Sequence, residues 1–186
     1  MRIITGKHRG RKLKSPPSLA TRPTSDRLRE TLFNILAPRI EGARFLDLCA
    51  GTGAVGIEAL SRGALHVTFV DQSRRMCALI EVNLRSLKID EAEFKVVCAD
   101  AVEFLRHFGK REAPGFDIIF FDPPYATNYD NVTNYIGRHA ESLLADDGIC
   151  VVEHFRKVDL PDDYFELTRY RALKQGDSCL SFYARR

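Results

Sequence analysis

Asp47-Leu-Cys-Ala-Gly51-Thr-Gly53-Ala-Val-Gly56 decides the fold. It continues an apolar run that reads as a buried strand over Phe45–Cys49, and it opens a helix over Ala54–Arg62 that Gly63 closes. A GxGxxG turn between a strand and a helix lets backbone approach a ligand with no Cβ in the way. Outward from this loop the hydrophobic period switches repeatedly between strand and helix. His66–Val70 reads as a strand and Ser73–Leu87 as a helix. Phe94–Cys98 and Ala101–Phe108 repeat the unit, followed by a strand over Asp117–Phe121, a helix over roughly Asn131–Leu144 and a strand over Ile149–Glu153. Such alternation implies a parallel sheet with helices on both faces. Tyr164–Leu173 and Ser178–Tyr183 read as two strands around Gln175-Gly176-Asp177, a hairpin that adds an antiparallel strand. Upstream, Thr24 or Ser25 caps a helix bearing Leu28, Leu32, Phe33, Ile35 and Leu36 on one face, with Pro38 beyond its end. Residues 1–20 read as a short strand pair, punctuated by Gly6 and Gly10 and ended by Ser15-Pro16-Pro17-Ser18.

The glycine loop alone suits either a dinucleotide or S-adenosylmethionine. Asp71 follows Gly51 by twenty residues, and its carboxylate can accept both ribose hydroxyls of any adenosine. Asp47 separates the two readings. A pyrophosphate at this turn would meet a carboxylate and be repelled by several kcal/mol in a partly buried site. S-adenosylmethionine brings an ammonium and a sulfonium instead, and Asp47 would hold its methionine end directly or through water. Ala50, Gly51 and Gly53 in the loop and Gln72 beside Asp71 are further candidate contacts. Asp100 and Ala101 sit where an adenine would meet the third strand, and Asp100 is equally a good helix N-cap.

A second site follows the fourth strand of the alternation. Asp122-Pro123-Pro124-Tyr125 ends the apolar run Phe116–Phe121. An exocyclic amine on a nucleobase is a poor nucleophile, because its lone pair is delocalised into the ring. The Asp122 carboxylate and the Pro123 carbonyl, held by fixed proline φ, can accept its two hydrogens and free that lone pair. A hydrogen bond to a charged acceptor contributes about 1.5–3 kcal/mol, and alignment of nitrogen, methyl carbon and sulfur contributes more. Pro124 stiffens the turn and Tyr125 would stack on the base, which must be turned out of any paired structure to arrive there.

The chain's 186 residues suit one domain with a small appendage, and 45% hydrophobic residues suffice for a core. No apolar run spans a bilayer, and no secretory signal is recognisable at the N-terminus. The five cysteines form no CxxC pair, which points to reduced thiols in a cytoplasmic protein and to no metal site. The net charge is only +3, yet residues 1–29 carry nine basic residues against the single acid Asp26. A basic end on a near-neutral body suits a polyanion, with Arg9, Arg11, Lys12 and Arg29 as the candidate RNA contacts; a solubilising terminus is the plainer reading.

Taken together these residues resemble the RsmD-type 16S ribosomal RNA guanine-N2 methyltransferases. The likeness is carried by Met1–Gly6 with Gly10–Leu13, Arg22–Arg27 with Arg29–Asn34, Asp47–Gly53, Gly56–Ala64 and Asp122–Tyr125. It implies a Rossmann-like class I methyltransferase fold, with a seven-stranded mostly parallel sheet, an antiparallel C-terminal hairpin strand and a small N-terminal β-hairpin. It implies S-adenosylmethionine as donor, a guanine N2 of small-subunit rRNA as acceptor, a basic hairpin over residues 1–22 that helps bind RNA, and a methyltransferase domain over 23–186. Arg22 and Thr24 match the family's block near the donor's methionine end. A monomer, acting on rRNA or on an assembling subunit, is expected. The chain departs from the pattern at Gln175, where the family has Tyr, and at Cys49, where an aromatic is common. Adenine-N6 methylation of DNA or RNA remains a same-chemistry alternative, and an NAD(P) oxidoreductase a different-class one.

Overall fold

In the computed structural model, residues 1–16, 25–109, 114–124 and 129–186 are described. Helix α1 (Asp26–Ile40) is capped by Ser25, whose side chain accepts the Leu28 amide. The expectation that Pro38 lies beyond this helix is corrected: the helix runs on to Ile40, whose buried side chain anchors the last turn. The alternating units follow as β1 (Arg44–Leu48), α2 (Ala54–Ser61), β2 (His66–Asp71), α3 (Arg74–Leu87), β3 (Phe94–Cys98), α4 (Ala101–Phe108), β4 (Phe116–Phe121) and α5 (Tyr129–Arg138). A short α6 (Ala140–Leu143) leads into β5 (Leu144–Phe155). The single helix expected near Asn131–Leu144 is therefore two, broken at His139, and β5 is longer than the strand read from Ile149–Glu153.

The chain ends with β6 (Asp163–Tyr164), β7 (Leu167–Gln175) and β8 (Ser178–Arg185). The sheet has eight strands in the order β3, β2, β1, β4, β5, β8, β7, β6, not seven. The extra strand arises because the run read as one strand from Tyr164 is interrupted at Phe165, where φ is 55°. β1 to β5 are parallel, while β8 is antiparallel to both β5 and β7.

Side chains alternate across the sheet into two cores. Phe45, Val67, Phe69, Ile118, Phe120 and Val151 pack under α1, α2 and α3. Leu46, Leu48, Val70, Ile119, Phe121 and Val152 pack under α4, α5 and α6. Gly56 permits the close approach of α2, because a Cβ there would lie 2.3 Å from the Phe69 ring.

The N-terminal residues belong to the first core through Ile3 and Leu13. Their strand pair is smaller than expected, with one antiparallel bridge, Arg2 to Lys12, and flanking backbone bonds such as the Ile3 amide to the Arg11 carbonyl at 3.0 Å. No helix among the described residues is long and apolar enough to cross a membrane.

Candidate active site at the carboxyl ends of the parallel strands

β3, β2, β1 and β4 all end on one edge of the sheet, and the strand order reverses between β1 and β4. Ligands of open α/β sheets bind at such a reversal. There the Asp122 amide donates to the Leu48 carbonyl at 3.3 Å, so the acid-proline turn begins beside Cys49 and the glycine loop. Asp122 is half-buried, Pro123 buried and Pro124 exposed. Tyr125, Arg22 and Thr24 lie outside the described residues.

The loop is wound tightly. Cys49, Gly51 and Gly53 have φ of 62°, 55° and 75°. A left-handed non-glycine residue costs roughly 1–3 kcal/mol and needs a strong framework to persist. The Ala50 amide donates to the Val70 carbonyl at 3.0 Å, and the Gly53 amide to the Ala50 carbonyl at 2.8 Å. Asp71, at the end of β2, accepts the Gly51 and Ser73 amides at 2.8 Å each. Each carboxylate oxygen retains capacity for another donor, such as a ribose hydroxyl. Gln72 beside it is exposed.

Asp47 is 2% exposed, and its Oδ2 accepts the Gly56 amide at 2.9 Å. That amide is one of the orphan donors of α2, whose N-cap, Gly53, has no side chain to offer. Asp47, expected to grip a ligand's methionine end, is thus bonded to the helix that carries the loop. Burial pushes its carboxyl up to about 7, the Gly56 bond opposing and the nearby Asp71 charge adding to the rise. A pyrophosphate at this helix start would compete for an amide already held by a buried acid. Asp100 is exposed and caps α4, its Oδ1 accepting the Val102 and Glu103 amides at 2.9 and 3.1 Å, which leaves Oδ2 for an adenine amino group. Ala101 is buried behind it.

Cys49 reports how closely these groups converge. Burial, followed by the like charges of Asp71, Asp122, Asp47 and Asp100, pushes its thiol up to about 12. Hemmed in by four acids, this thiol is a packing group. Four acids around one strand edge suit a cationic ligand better than a phosphate.

Of the expected RNA contacts, Arg9, Arg11 and Lys12 are exposed, and the Arg11 guanidinium also donates to the Ser86 carbonyl at 3.1 Å. Arg29 is corrected. It is 0% exposed, donates to the Arg2 carbonyl and to Asp26, and lies 4.0 Å from Glu58. Its charge is spent inside the fold, where RNA has no access. Glu58 was not among the candidate residues. Fully buried on α2, it accepts the Ile4 and Thr5 amides at 2.8 and 2.9 Å and pairs with Arg62 at 2.8 Å. The available signal was an acid inside the apolar run Ile57-Glu58-Ala59-Leu60. Gly6 completes this dock: a Cβ there would lie 1.7 Å from the Ser61 carbonyl oxygen.

The family described as Conserved hypothetical protein 95 matches residues 1–184. The chain belongs to this family, the RsmD family. The ribosomal RNA small subunit methyltransferase D of Escherichia coli is 38% identical over 186 residues, covering 100% of this chain and 90% of that one. The protein of the same name from Haemophilus influenzae is 41% identical over 128 residues, covering 69% of this chain and 65% of that one. Among solved structures, the Escherichia coli protein yhhF superposes with a TM-score of 0.84 at 36% identity, covering 100% of this chain and 97% of that chain. The RsmD-family strand order and glycine loop are therefore those of a methyltransferase fold, with the hairpin strands at its antiparallel end.

Proposed function

We propose that this chain transfers a methyl group from S-adenosylmethionine to the exocyclic N2 amine of a guanine in small-subunit ribosomal RNA. The observation that carries the reading is the bond between the Asp122 amide and the Leu48 carbonyl, which joins the acid-proline turn to the start of the glycine loop at the reversal point of the sheet. The names of the RsmD relatives support an rRNA substrate.

S-adenosylmethionine, when bound, supplies an electrophilic methyl on a sulfonium. Asp71 would take the ribose hydroxyls, Asp100 and the Ala101 amide the adenine, and the loop from Ala50 to Gly53 the methionine backbone. Arg22 and Thr24 would complete the methionine end. Asp122 and the Pro123 carbonyl would accept the two amine hydrogens, leaving the nitrogen lone pair aimed at the methyl carbon. Tyr125 would stack on the flipped base. The product amine is cationic and acidic, so its proton leaves to water or through Asp122, and no strong base is required. Residues 1–22 would act as an RNA-binding element, with Ile4 and Thr5 held by Glu58.

Thermal-shift titration tests the donor: S-adenosylhomocysteine stabilises the fold and NADH does not. Stabilisation by NADH alone would refute the donor assignment.

A further inference from the structure

The proposed chemistry leaves Cys77 and Cys98 without a task. Cys77 lies in the first half of α3 and is 7% exposed, while Cys98 ends β3 and is exposed. Cys77 Sγ also lies 3.9 Å from the carbonyl of Val97, the residue before Cys98. Each also donates to the same turn: Cys77 Sγ to the Asp71 carbonyl at 3.3 Å and Cys98 Sγ to the Gln72 carbonyl at 3.7 Å. The β2–β3 register sets Asp71 opposite Cys98. The pair therefore straddles Asp71-Gln72, whose carboxylate holds the Gly51 and Ser73 amides.

We propose that Cys77 and Cys98 are an oxidation site, closed to a disulfide by a low-molecular-weight disulfide such as glutathione disulfide, and that closure weakens adenosine binding at the adjoining turn. Cys98, the accessible thiol, loses its proton and attacks one sulfur of the oxidant, expelling a small thiolate and forming a mixed disulfide. Cys77 then loses its proton and attacks Cys98 Sγ, expelling the second small thiolate. Two protein thiols and one small disulfide become one protein disulfide and two small thiols. Burial, with the neighbouring Cys98 thiol adding to it, pushes the Cys77 thiol up to about 11, so the closing step quickens as pH rises.

The consequence is local. Oxidation removes both S–H donors to the Asp71 and Gln72 carbonyls. An S–S bond of about 2.05 Å is shorter than any thiol hydrogen bond, so α3 is drawn toward the end of β3. The Asp71 backbone, bonded to the Cys77 thiol and paired with Cys98, would move with them. The coupling to ligand binding rests on the donor site proposed above; the disulfide itself does not.

The full chain is incubated with glutathione disulfide, and intact mass, non-reducing peptide mapping and affinity for S-adenosylhomocysteine are measured before and after. The expected result is loss of the mass of two hydrogens, a single Cys77–Cys98 cross-link and several-fold weaker binding, all reversed by a reducing thiol. Cys77→Ser should stop at a glutathione adduct on Cys98, with reduced-state affinity unchanged. A chain that keeps its five free thiols, or links another pair, overturns the proposal. A disulfide that leaves the affinity unchanged overturns the coupling. Failure of the reduced chain to bind S-adenosylhomocysteine would instead overturn the donor site, while peptide mapping would still decide the disulfide.

Discussion

The buried carboxylate of Asp47 accepts the amide hydrogen of Gly56 at 2.9 Å, so the strand that precedes the glycine loop caps the helix that follows it. The loop is clamped at both ends by one side chain, and the interaction carries a pH signature. The folded-state pKa of Asp47 is raised from 3.8 to about 7. The folded chain then binds more protons than the unfolded chain between these values, and stability falls as pH rises through that window. The upper bound of this effect is about 4 kcal/mol at 1.36 kcal/mol per pKa unit. Asp47→Asn keeps an acceptor for Gly56 and removes the charge. Denaturant unfolding at pH 5 and pH 8 should show the wild type losing stability at the higher pH and the variant losing less. Equal losses in both proteins would contradict the assignment.

In the proposed reaction Asp122 accepts a hydrogen from the target amine. Asp122→Ala should abolish methyl transfer while leaving RNA affinity within a few-fold, measured by single-turnover transfer and filter binding. Retained transfer would mean that another group orients the amine.

The exposed arm and the buried arginine should separate cleanly. Replacing Arg9, Arg11 and Lys12 with Ala should lower the salt dependence of RNA binding, each lost phosphate contact removing about 0.7 from the log–log slope on single strands. Arg29→Ala should act on stability instead. It strips Glu58 of one buried cation, and breaking a buried pair costs about 3–5 kcal/mol. Unfolding midpoints and salt slopes on the same variants decide this, and a triple variant with an unchanged slope would make the arm a bystander.

Gly6→Ala should loosen the N-terminal segment, because the new methyl would overlap the Ser61 carbonyl at a position with φ of 85°. Hydrogen exchange at the Ile4 and Thr5 amides, both held by Glu58, should speed up markedly. Unchanged protection of these amides would show that the segment is fixed by other contacts.

Strands β1 to β4 and helices α2 to α4 were legible within a residue or two, because a strand buried on both faces and an amphipathic helix have different periods. Ser25 and Asp100 were legible as caps for the same local reasons, while Ser73, read as the first helical residue, proves to be the cap of α3. What the pattern missed depends on tertiary neighbours. Pro38 stays helical because its turn ends in the buried Ile40. The split between β6 and β7 turns on one left-handed residue, Phe165, that no composition announces. Arg29 counted as a basic residue in a basic segment, and only the fold reveals that Glu58 and Asp26 face it. In the site, the loop and the acid-proline turn were legible as motifs. The internal employment of Asp47 by Gly56 was not, since it depends on α2 returning over the end of β1.

Guanine-N2 transfer is decided by incubating the chain with labelled S-adenosylmethionine and small-subunit rRNA, both naked and within subunit particles, and digesting the product to nucleosides. Label should appear in N2-methylguanosine and be lost in Asp122→Ala. Label in N6-methyladenosine, or no transfer to either substrate by a chain that binds S-adenosylhomocysteine, would contradict it.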